Sequence, residues 1–338
     1  MLSPPPCPPP YRGRSLSARW FLYPKIILMS VPFSTQYDDI YFSAHDGLAE
    51  KKYVFQNGND LPARFQNRDD FVIAEAGFGT GLSFLATVQT FLAHTQPHQH
   101  LHFISFEQHP MTPEDMRAAL SLWRADLGGW VEDLIAVLPL PLPGPHRITL
   151  YDRVHLTLVY GDITQTIATL NHPVDAWYLD GFTPAKNPKM WGDQLFDAMR
   201  RCSAHGATAA TYSAARMVRD GLERAGFTVH KTKGFGYKSD MIRATYAGGG
   251  HIPLRTRRGQ RIAVLGGGLA GTSAAWACKQ TGQIPTIIAP HGLADGASGN
   301  VRGLYNPRFS KNFTDTARFY STAFAGVHAF LKSQPPDQ

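Results

Sequence analysis

Between Phe71 and Phe84 the sequence reads FVIAEAGFGTGLSF. An apolar run, Phe71, Val72, Ile73, Ala74 and Ala76, is interrupted only by Glu75 and gives way to Gly77, Gly79 and Gly81, after which Leu82 to Thr90 has helical texture. That order predicts a buried parallel strand, a tight glycine turn and a helix start. Glycines at alternate positions let the main chain bend sharply and let a ligand approach backbone N–H groups that a Cβ would screen. The rest of the chain has to supply an α/β fold around this unit.

The spacing E-x-G-x-G-x-G narrows the ligand. A dinucleotide fold spaces its glycines G-x-G-x-x-G, and a P-loop adds a phosphate-seeking Lys that is missing after Gly81. A carboxylate at Glu75, just before the turn, would repel a pyrophosphate but suits a cation such as the sulfonium and amino group of S-adenosylmethionine. Glu75, Gly77, Gly79 and Gly81 are the expected lining of that site; an ordinary glycine-rich turn is the alternative.

Downstream residues fit the same plan. Leu101 to Phe106 reads as a second buried strand ending in Glu107, about 20 to 30 residues beyond the glycines, where a carboxylate accepts hydrogen bonds from ribose hydroxyls. Pro113 to Trp123 and Gly128 to Leu138 read as helices, and Arg147 to Tyr160 as two strands around Asp152-Arg153. Asp162 follows, placed either to accept from an adenine amino group or to cap the helix beginning near Thr164. Val174 to Leu179 reads as a further strand running into Asp180-Gly181-Phe182-Thr183-Pro184 and on to Pro188. Ligands in open α/β sheets sit beyond the carboxyl ends of strands, so chemistry is expected at this rigid lip. Asp180 can orient an amine or accept its proton, and Phe182 can pack on a base. Trp191 to Cys202 and Ala215 to Ala225 read as helices flanking a strand, Ala207 to Tyr212. Phe227 to Lys233 and Met241 to Tyr246 read as a closing antiparallel pair, with Phe235, Tyr237 and Lys238 between them suited to a nucleotide.

The chain has 338 residues, 43% of them hydrophobic, which is enough for two domains with real cores. No apolar run approaches the roughly 20 residues of a membrane span; the nearest, Trp20 to Met29, is broken by Pro24 and Lys25. Residues 1–30 are dense in Pro, Ser and Arg and are expected not to fold, as a mis-started leader before Met29 or as a basic tail. From Val31 an ordered cap is expected, with Asn57-Gly58 as a turn and Lys51, Lys52, Arg64 and Arg68 as a basic surface. Cys7, Cys202 and Cys278 have no metal or disulfide spacing and suit a reducing cytoplasm. His94 to His102, HTQPHQHLH, fall in a connection before a strand in no metal-binding pattern, so no metal is expected. The formal charge of +7 and the isoelectric point near 9.3 favour a polyanionic partner, nucleic acid first.

After residue 247 the texture changes. A basic glycine linker spans 248–260, and RIAVLGGGLAGTSAAWA then sets Gly266, Gly268 and Gly271 in true G-x-G-x-x-G spacing between a strand and a helix, as for FAD or NAD. The next strand, Pro285 to Ala289, ends in Pro290 and His291 where a ribose-binding acid is expected, and 261–338 is short for a flavoprotein domain.

The motifs EAGFGTG, LDGFTPAKNPKMW, GFGYKSDMIRATY, IAVLGGGLAG and DGASGN (Asp295 to Asn300), in this order, resemble the bifunctional enzymes of tRNA 5-methylaminomethyl-2-thiouridine biosynthesis. The resemblance covers the chain from about Val31 onward. It implies a Rossmann-like S-adenosylmethionine-dependent methyltransferase domain over 31–247, followed by a partial FAD-binding Rossmann unit. It implies that a flavin half removes the carboxymethyl group from 5-carboxymethylaminomethyluridine at the tRNA wobble position, and that the methyltransferase half then methylates the amine. Glu75, Gly77, Gly79 and Glu107 would hold the methyl donor, Asp180 would orient or deprotonate the amine, and Gly266, Gly268 and Gly271 would face FAD. With the second unit short and Pro290 in place of the acid, methyl transfer is expected intact and oxidation lost or impaired. The competing classes are an FAD or NAD oxidoreductase with a degenerate first domain and a tRNA-binding module without catalysis. The geometric expectation is that the glycine bend and Asp180 open onto one pocket.

Overall fold

The computed structural model describes residues 26–28, 32–43, 46–66, 68–248, 259–300, 303–306, 310 and 314–333. Strand β1 (Ile26–Leu28), β2 (Pro32–Ser34) and β3 (Asp39–Ile40) form a small antiparallel sheet. β1 lies inside the stretch expected not to fold, held by pairing of Ile26 to Leu28 with Ser34 to Pro32. Residues 1–25 and the suggested start at Met29 fall outside the described residues.

Helix α1 (Gly47–Lys51) continues through a wide π-type turn, Lys52–Gln56, and a tight 3-10 turn, Asn57–Asn59, until Asp60 turns left-handed. The expected turn at Asn57-Gly58 is therefore helical. Gly58 serves close packing instead, since a Cβ there would come within 2.8 Å of Ala210 Cβ.

Next come β4 (Asp70–Ala76), α2 (Leu82–His94), β5 (His100–Glu107), α3 (Pro113–Leu120), α4 (Arg124–Leu127), α5 (Trp130–Val137), β6 (Gly144–Leu150) and β7 (Val154–Tyr160). The second half adds α6 (Ile163–Thr166), β8 (Val174–Leu179), α7 (Asp193–Cys202), β9 (Ser203–Thr211), α8 (Arg216–Arg224), β10 (Phe227–Lys233) and β11 (Asp240–Tyr246). Eight strands form one sheet in the order β10-β11-β9-β8-β4-β5-β7-β6. β7, β5, β4, β8 and β9 are parallel, while β11 and β10 run antiparallel at one edge and β6 at the other. β6 and β7 join through Tyr151 and Asp152, both with positive φ, which supplies the twist a tight hairpin needs.

Helices cover both faces, so the central strands read as mostly apolar runs, broken at residues such as Glu75 and Asp175, rather than as alternating ones. Adjacent residues of β8 show the division: Tyr178 packs with Phe55 and Phe103 on the face of α2, α3 and α5, and Trp177 with Leu195 and Phe196 on the face of α7 and α8. His100 and His102, expected in a connection, lie on β5, where His100 meets His155 of β7 at 3.0 Å and His102 meets Asp70 of β4 at 2.8 Å. Arg64 and Arg68 also leave the expected basic surface for structural work. Arg68 pairs with buried Asp175, whose other oxygen accepts from Val72 N at 2.9 Å, and Arg64 donates to Asp175 O at 3.0 Å.

Beyond the linker, of which 249–258 lies outside the described residues, β12 (Arg261–Leu265), α9 (Leu269–Gln280) and β13 (Ile284–Ile288) form a right-ordered β-α-β unit with a two-stranded parallel sheet. Its apolar residues stay open: Leu265 is 80% exposed and Leu269 74%. Helix α10 (Asp315–Ser333) touches this unit through Trp276 and Phe330, and the large sheet through Thr322 against Gly144 of β6. No helix among the described residues is long and apolar enough to cross a membrane.

Candidate active site

The chain leaves β4 for β5 on one side and later returns to β8 on the other, so the loops after β4, β5, β7 and β8 diverge at one edge of the sheet, where α/β folds open their ligand crevice. A cavity of about 630 Å3 lies there, within the range of about 300–1,000 Å3 usual for small-molecule sites. Gly77, Gly79, Glu107, Asp162, Asp180, Phe182 and Lys238 all line it. The glycine bend and the acidic strand end thus face a common hollow.

The bend is shaped by conformations that a side chain resists. Gly77, Gly79 and Gly81 have φ of 96°, 54° and 78°, and a Cβ at Gly77 would come within 2.9 Å of the Asp180 carbonyl oxygen. Glu107 holds the bend from the next strand: Oε2 accepts from Gly79 N at 2.8 Å and Oε1 from His109 N at 2.7 Å. Asp162 caps α6 by accepting from Thr164 N at 2.9 Å, and its place on the cavity wall adds to the capping role rather than competing with it.

Three expected site residues sit elsewhere. Glu75 does not line the cavity. Its side chain is buried in β4, with Oε2 accepting from Ser105 Oγ at 2.6 Å and Oε1 without a partner among the described residues. Burial, reinforced by the charge of Asp180, raises the Glu75 pKa well above the ordinary glutamate value, so the ionised form is disfavoured under the floor. Gly81 stands back from the hollow, beginning α2 with Phe78 and Leu134 around it. Phe235 belongs to an adjoining pocket of about 210 Å3 with Glu50 and Tyr237, where it packs on Tyr53 at 5.7 Å; Lys238 borders both spaces.

Asp180 is the most engaged group. Lys51 Nζ lies 2.6 Å from both of its oxygens, and Ser83 Oγ donates to Oδ2 at 2.8 Å. Burial raises the Asp180 pKa, and Lys51 and Ser83 oppose the rise. Beside the pair, Tyr212 donates to Gly181 O at 2.5 Å, while Lys238 binds Glu50 Oε1 at 2.7 Å and lies 4.6 Å from the Tyr212 ring centre.

Over the opening lies the β2–β3 hairpin. Tyr37 stacks on Phe182 at 4.7 Å and Tyr41 meets the same ring edge-on at 5.2 Å. Asp39 accepts from Thr183 N at 3.0 Å, Lys186 donates to Asp38 O, and Tyr37 OH reaches Gln108 at 3.2 Å on the far wall. The hairpin therefore bridges the donor side and the lip.

Sequence reasoning passed over Ser83 and gave Tyr37, Tyr41 and Tyr212 no part in the site, and it put Lys51 on a basic surface, whereas the side chain is buried against Asp180. A signal for Lys51 was present: Leu48, Lys51 and Phe55 recur at i, i+3 and i+7, which puts the lysine on the face that carries the apolar residues.

Residues 125–247 match the S-adenosyl-L-methionine-dependent methyltransferase family. Among solved structures the chain is similar to MnmC2 from Aquifex aeolicus, 20% identical with a TM-score of 0.52, over 67% of this chain and 69% of that one. It is more remotely similar to CalS10, an amino pentose methyltransferase from Micromonospora echinaspora, at 14% identity and a TM-score of 0.32 over 61% and 98% of the two chains. The fold is the Rossmann-like fold of S-adenosylmethionine-dependent methyltransferases.

Proposed function

We propose that the chain methylates the amine of 5-aminomethyl-(2-thio)uridine at the wobble position of tRNA, giving the 5-methylaminomethyl form with S-adenosylmethionine as donor. The observation that carries this function is the shared cavity, with the positive-φ glycine bend and Glu107 on one side and Asp180 on the other. The sequence resemblance and the net charge of +7 support tRNA as the acceptor.

The cradle fits the donor on two counts. Gly77 and Gly79 line the cavity with positive-φ backbone that keeps the bend against the Asp180 strand end, and Glu107 offers carboxylate lone pairs beside the bend, where a ribose would lie. When bound, S-adenosylmethionine supplies a methyl group on a positively charged sulfur. The residues of the chain then bind, orient and dry the site. Gly77 and Gly79 bring main chain against the ligand, Glu107 and Asp162 present acceptors, Phe182 with Tyr37 and Tyr41 offers aromatic faces for a base, and Asp180 holds the acceptor nitrogen in line. Alignment of this kind contributes more than base strength.

The second unit fits FAD less well. The turn after β12 is of dinucleotide type, with Gly266 at φ 104° and no room for a Cβ at Gly271, which would run into the Gly266 carbonyl oxygen. Yet Ser298 Oγ occupies the N–H of Leu269 at the start of α9, at 3.0 Å, and β13 ends in Ala289-Pro290-His291 without the ribose-binding carboxylate. No flavin step is derived from these residues.

The test is mass spectrometry of wobble nucleosides after incubating the protein with aminomethyl-bearing tRNA and methyl-labelled donor, beside equilibrium binding of the donor. Asp180→Ala should keep donor binding and lose methyl transfer by orders of magnitude. Unchanged turnover in that variant removes Asp180 from its role, and absence of methylated nucleoside with the unaltered protein refutes the function.

A further inference from the structure

Lys51 has no assigned part in methyl transfer, yet it is placed where the acceptor nitrogen must arrive. Its side chain is 10% exposed, its Nζ lies 2.6 Å from both oxygens of Asp180, and both residues line the donor cavity. An alkylamine approaching Asp180 therefore meets a carboxylate whose charge is already matched. The other ionisable groups facing the pair leave that balance intact. Glu75 below it on β4 is buried, its Oε2 accepting from Ser105 Oγ and its pKa raised by burial, Glu50 on α1 is paired with Lys238, and Glu107 on β5 is bound to two backbone N–H groups. Tyr212 at the end of β9 is held as a phenol, its pKa raised by burial first and then by Asp180.

We propose that Lys51 is a positioning residue that sets the charge state of the acceptor: by neutralising Asp180 it excludes the ammonium form of the incoming alkylamine and admits the neutral amine. It rests on the amine-methylating function proposed above. Only the neutral form has a lone pair for the methyl carbon. In water an alkylamine of lysine-like basicity, pKa about 10, is almost wholly ammonium at neutral pH. A bare Asp180 would bind that unreactive form and hold its proton, because an opposite charge within about 4–6 Å favours the charged state by about one to three pH units. With Lys51 in place a second cation meets a like charge in a partly dry site, and the proton stays in solvent.

The step balances. The amine nitrogen gives its lone pair to the methyl carbon, the electron pair of the breaking carbon–sulfur bond remains on sulfur, and the nitrogen becomes a secondary ammonium. That cation forms beside Lys51 and gives one proton to water, so the product leaves as a secondary amine and no residue ends the cycle altered. Asp180 keeps its role of aligning the nitrogen, as acceptor of an amine N–H rather than as the base that must first deprotonate it.

The experiment compares an anticodon stem–loop carrying 5-aminomethyluridine with one carrying 5-hydroxymethyluridine, which does not titrate, between about pH 6 and about pH 9. In the unaltered protein the aminomethyl-to-hydroxymethyl affinity ratio should rise with pH, by roughly tenfold per unit below the amine pKa. Lys51→Arg should preserve the rise. Lys51→Met should flatten or invert it, strengthen binding near pH 6, and move the acid limb of kcat to higher pH by about one to three units. A merely structural lysine would lower kcat without moving that limb. A ratio that is flat or falls with pH in the unaltered protein overturns the proposal even if Lys51→Met does not fold, and a Lys51→Met limb that coincides with the unaltered one overturns it as well. Failure of the unaltered protein to bind or methylate the aminomethyl stem–loop refutes the underlying function itself, whereas methylation with an unmoved ratio refutes only the role of Lys51.

Discussion

Lys51→Met should destabilise the methyltransferase domain by a predictable and pH-dependent amount. The ion pair is inaccessible enough for solvent screening to be a minor discount, with side-chain exposures of 10% for Lys51 and 9% for Asp180. Removing one partner of such a pair costs about 3–5 kcal/mol because a charge is left buried and unmatched. The carboxyl can escape by taking a proton, and this sets a ceiling. Keeping a carboxyl of reference pKa about 3.9 neutral at pH 7 costs roughly 1.4 kcal/mol for each of about three units, or about 4 kcal/mol. In the variant Asp180 has a folded pKa above its unfolded value. The penalty is therefore largest above the folded pKa and fades as pH falls toward the unfolded one, to about 1 kcal/mol near pH 4.5. Urea denaturation followed by fluorescence of the buried Trp177 and Trp191 measures the difference at both pH values. Adding Asp180→Asn removes the stranded charge and should recover more than half of the loss at pH 7. A cost below about 1 kcal/mol at pH 7, or the same cost at both pH values, would show that the pair is not the buried ion pair described.

Gly77→Ala places a Cβ at 2.9 Å from Asp180 O on a backbone with φ of 96°. The strain of about 1–3 kcal/mol should appear as donor affinity roughly 5- to 150-fold weaker in calorimetry, and unaltered affinity would show that the donor does not touch the bend. Phe182→Ala removes the ring on which Tyr37 and Tyr41 converge. With stacking worth about 1–3 kcal/mol per base, the acceptor KM should rise by roughly 5- to 150-fold while donor affinity holds; a rise confined to the donor would place the base elsewhere. Burial raises the Glu75 pKa, so its contribution to stability is full below the unfolded pKa near 4.3 and is lost as pH rises toward the folded value, by up to about 1.4 kcal/mol per unit. Glu75→Gln abolishes that loss, and its stability should gain on the unaltered protein as pH rises from about 5 to about 8; parallel stability profiles would mean that Glu75 ionises in the folded state.

Most of the large sheet is legible in the sequence because a strand buried on both faces is largely apolar, and runs such as Phe71 to Ala74 and Ala176 to Leu179 are. Ends were less legible, since helix ends depend on caps and packing that no apolar period records: α7 begins at Asp193 rather than Trp191, and β9 at Ser203 rather than Ala207. The glycine bend and the acidic strand ends were legible for a similar reason, as backbone strain and strand position leave residue-type signatures. What sequence could not show was how each charge is spent. Glu75 and Glu107 lie on the same face beside the bend, but Glu75 is level with Ser105, two residues deeper than Glu107, so the first is buried against Ser105 and the second reaches Gly79 N beyond the strand end. Lys51 and Lys52 are neighbours in sequence, and the roughly 100° between successive helical residues puts one against Asp180 and the other on Gln89. A charge reads as solvated when taken by composition and as buried when taken by period. The lysine facing Asp180 was visible only to the second count, because its neighbours Leu48 and Phe55 mark a face and not a patch.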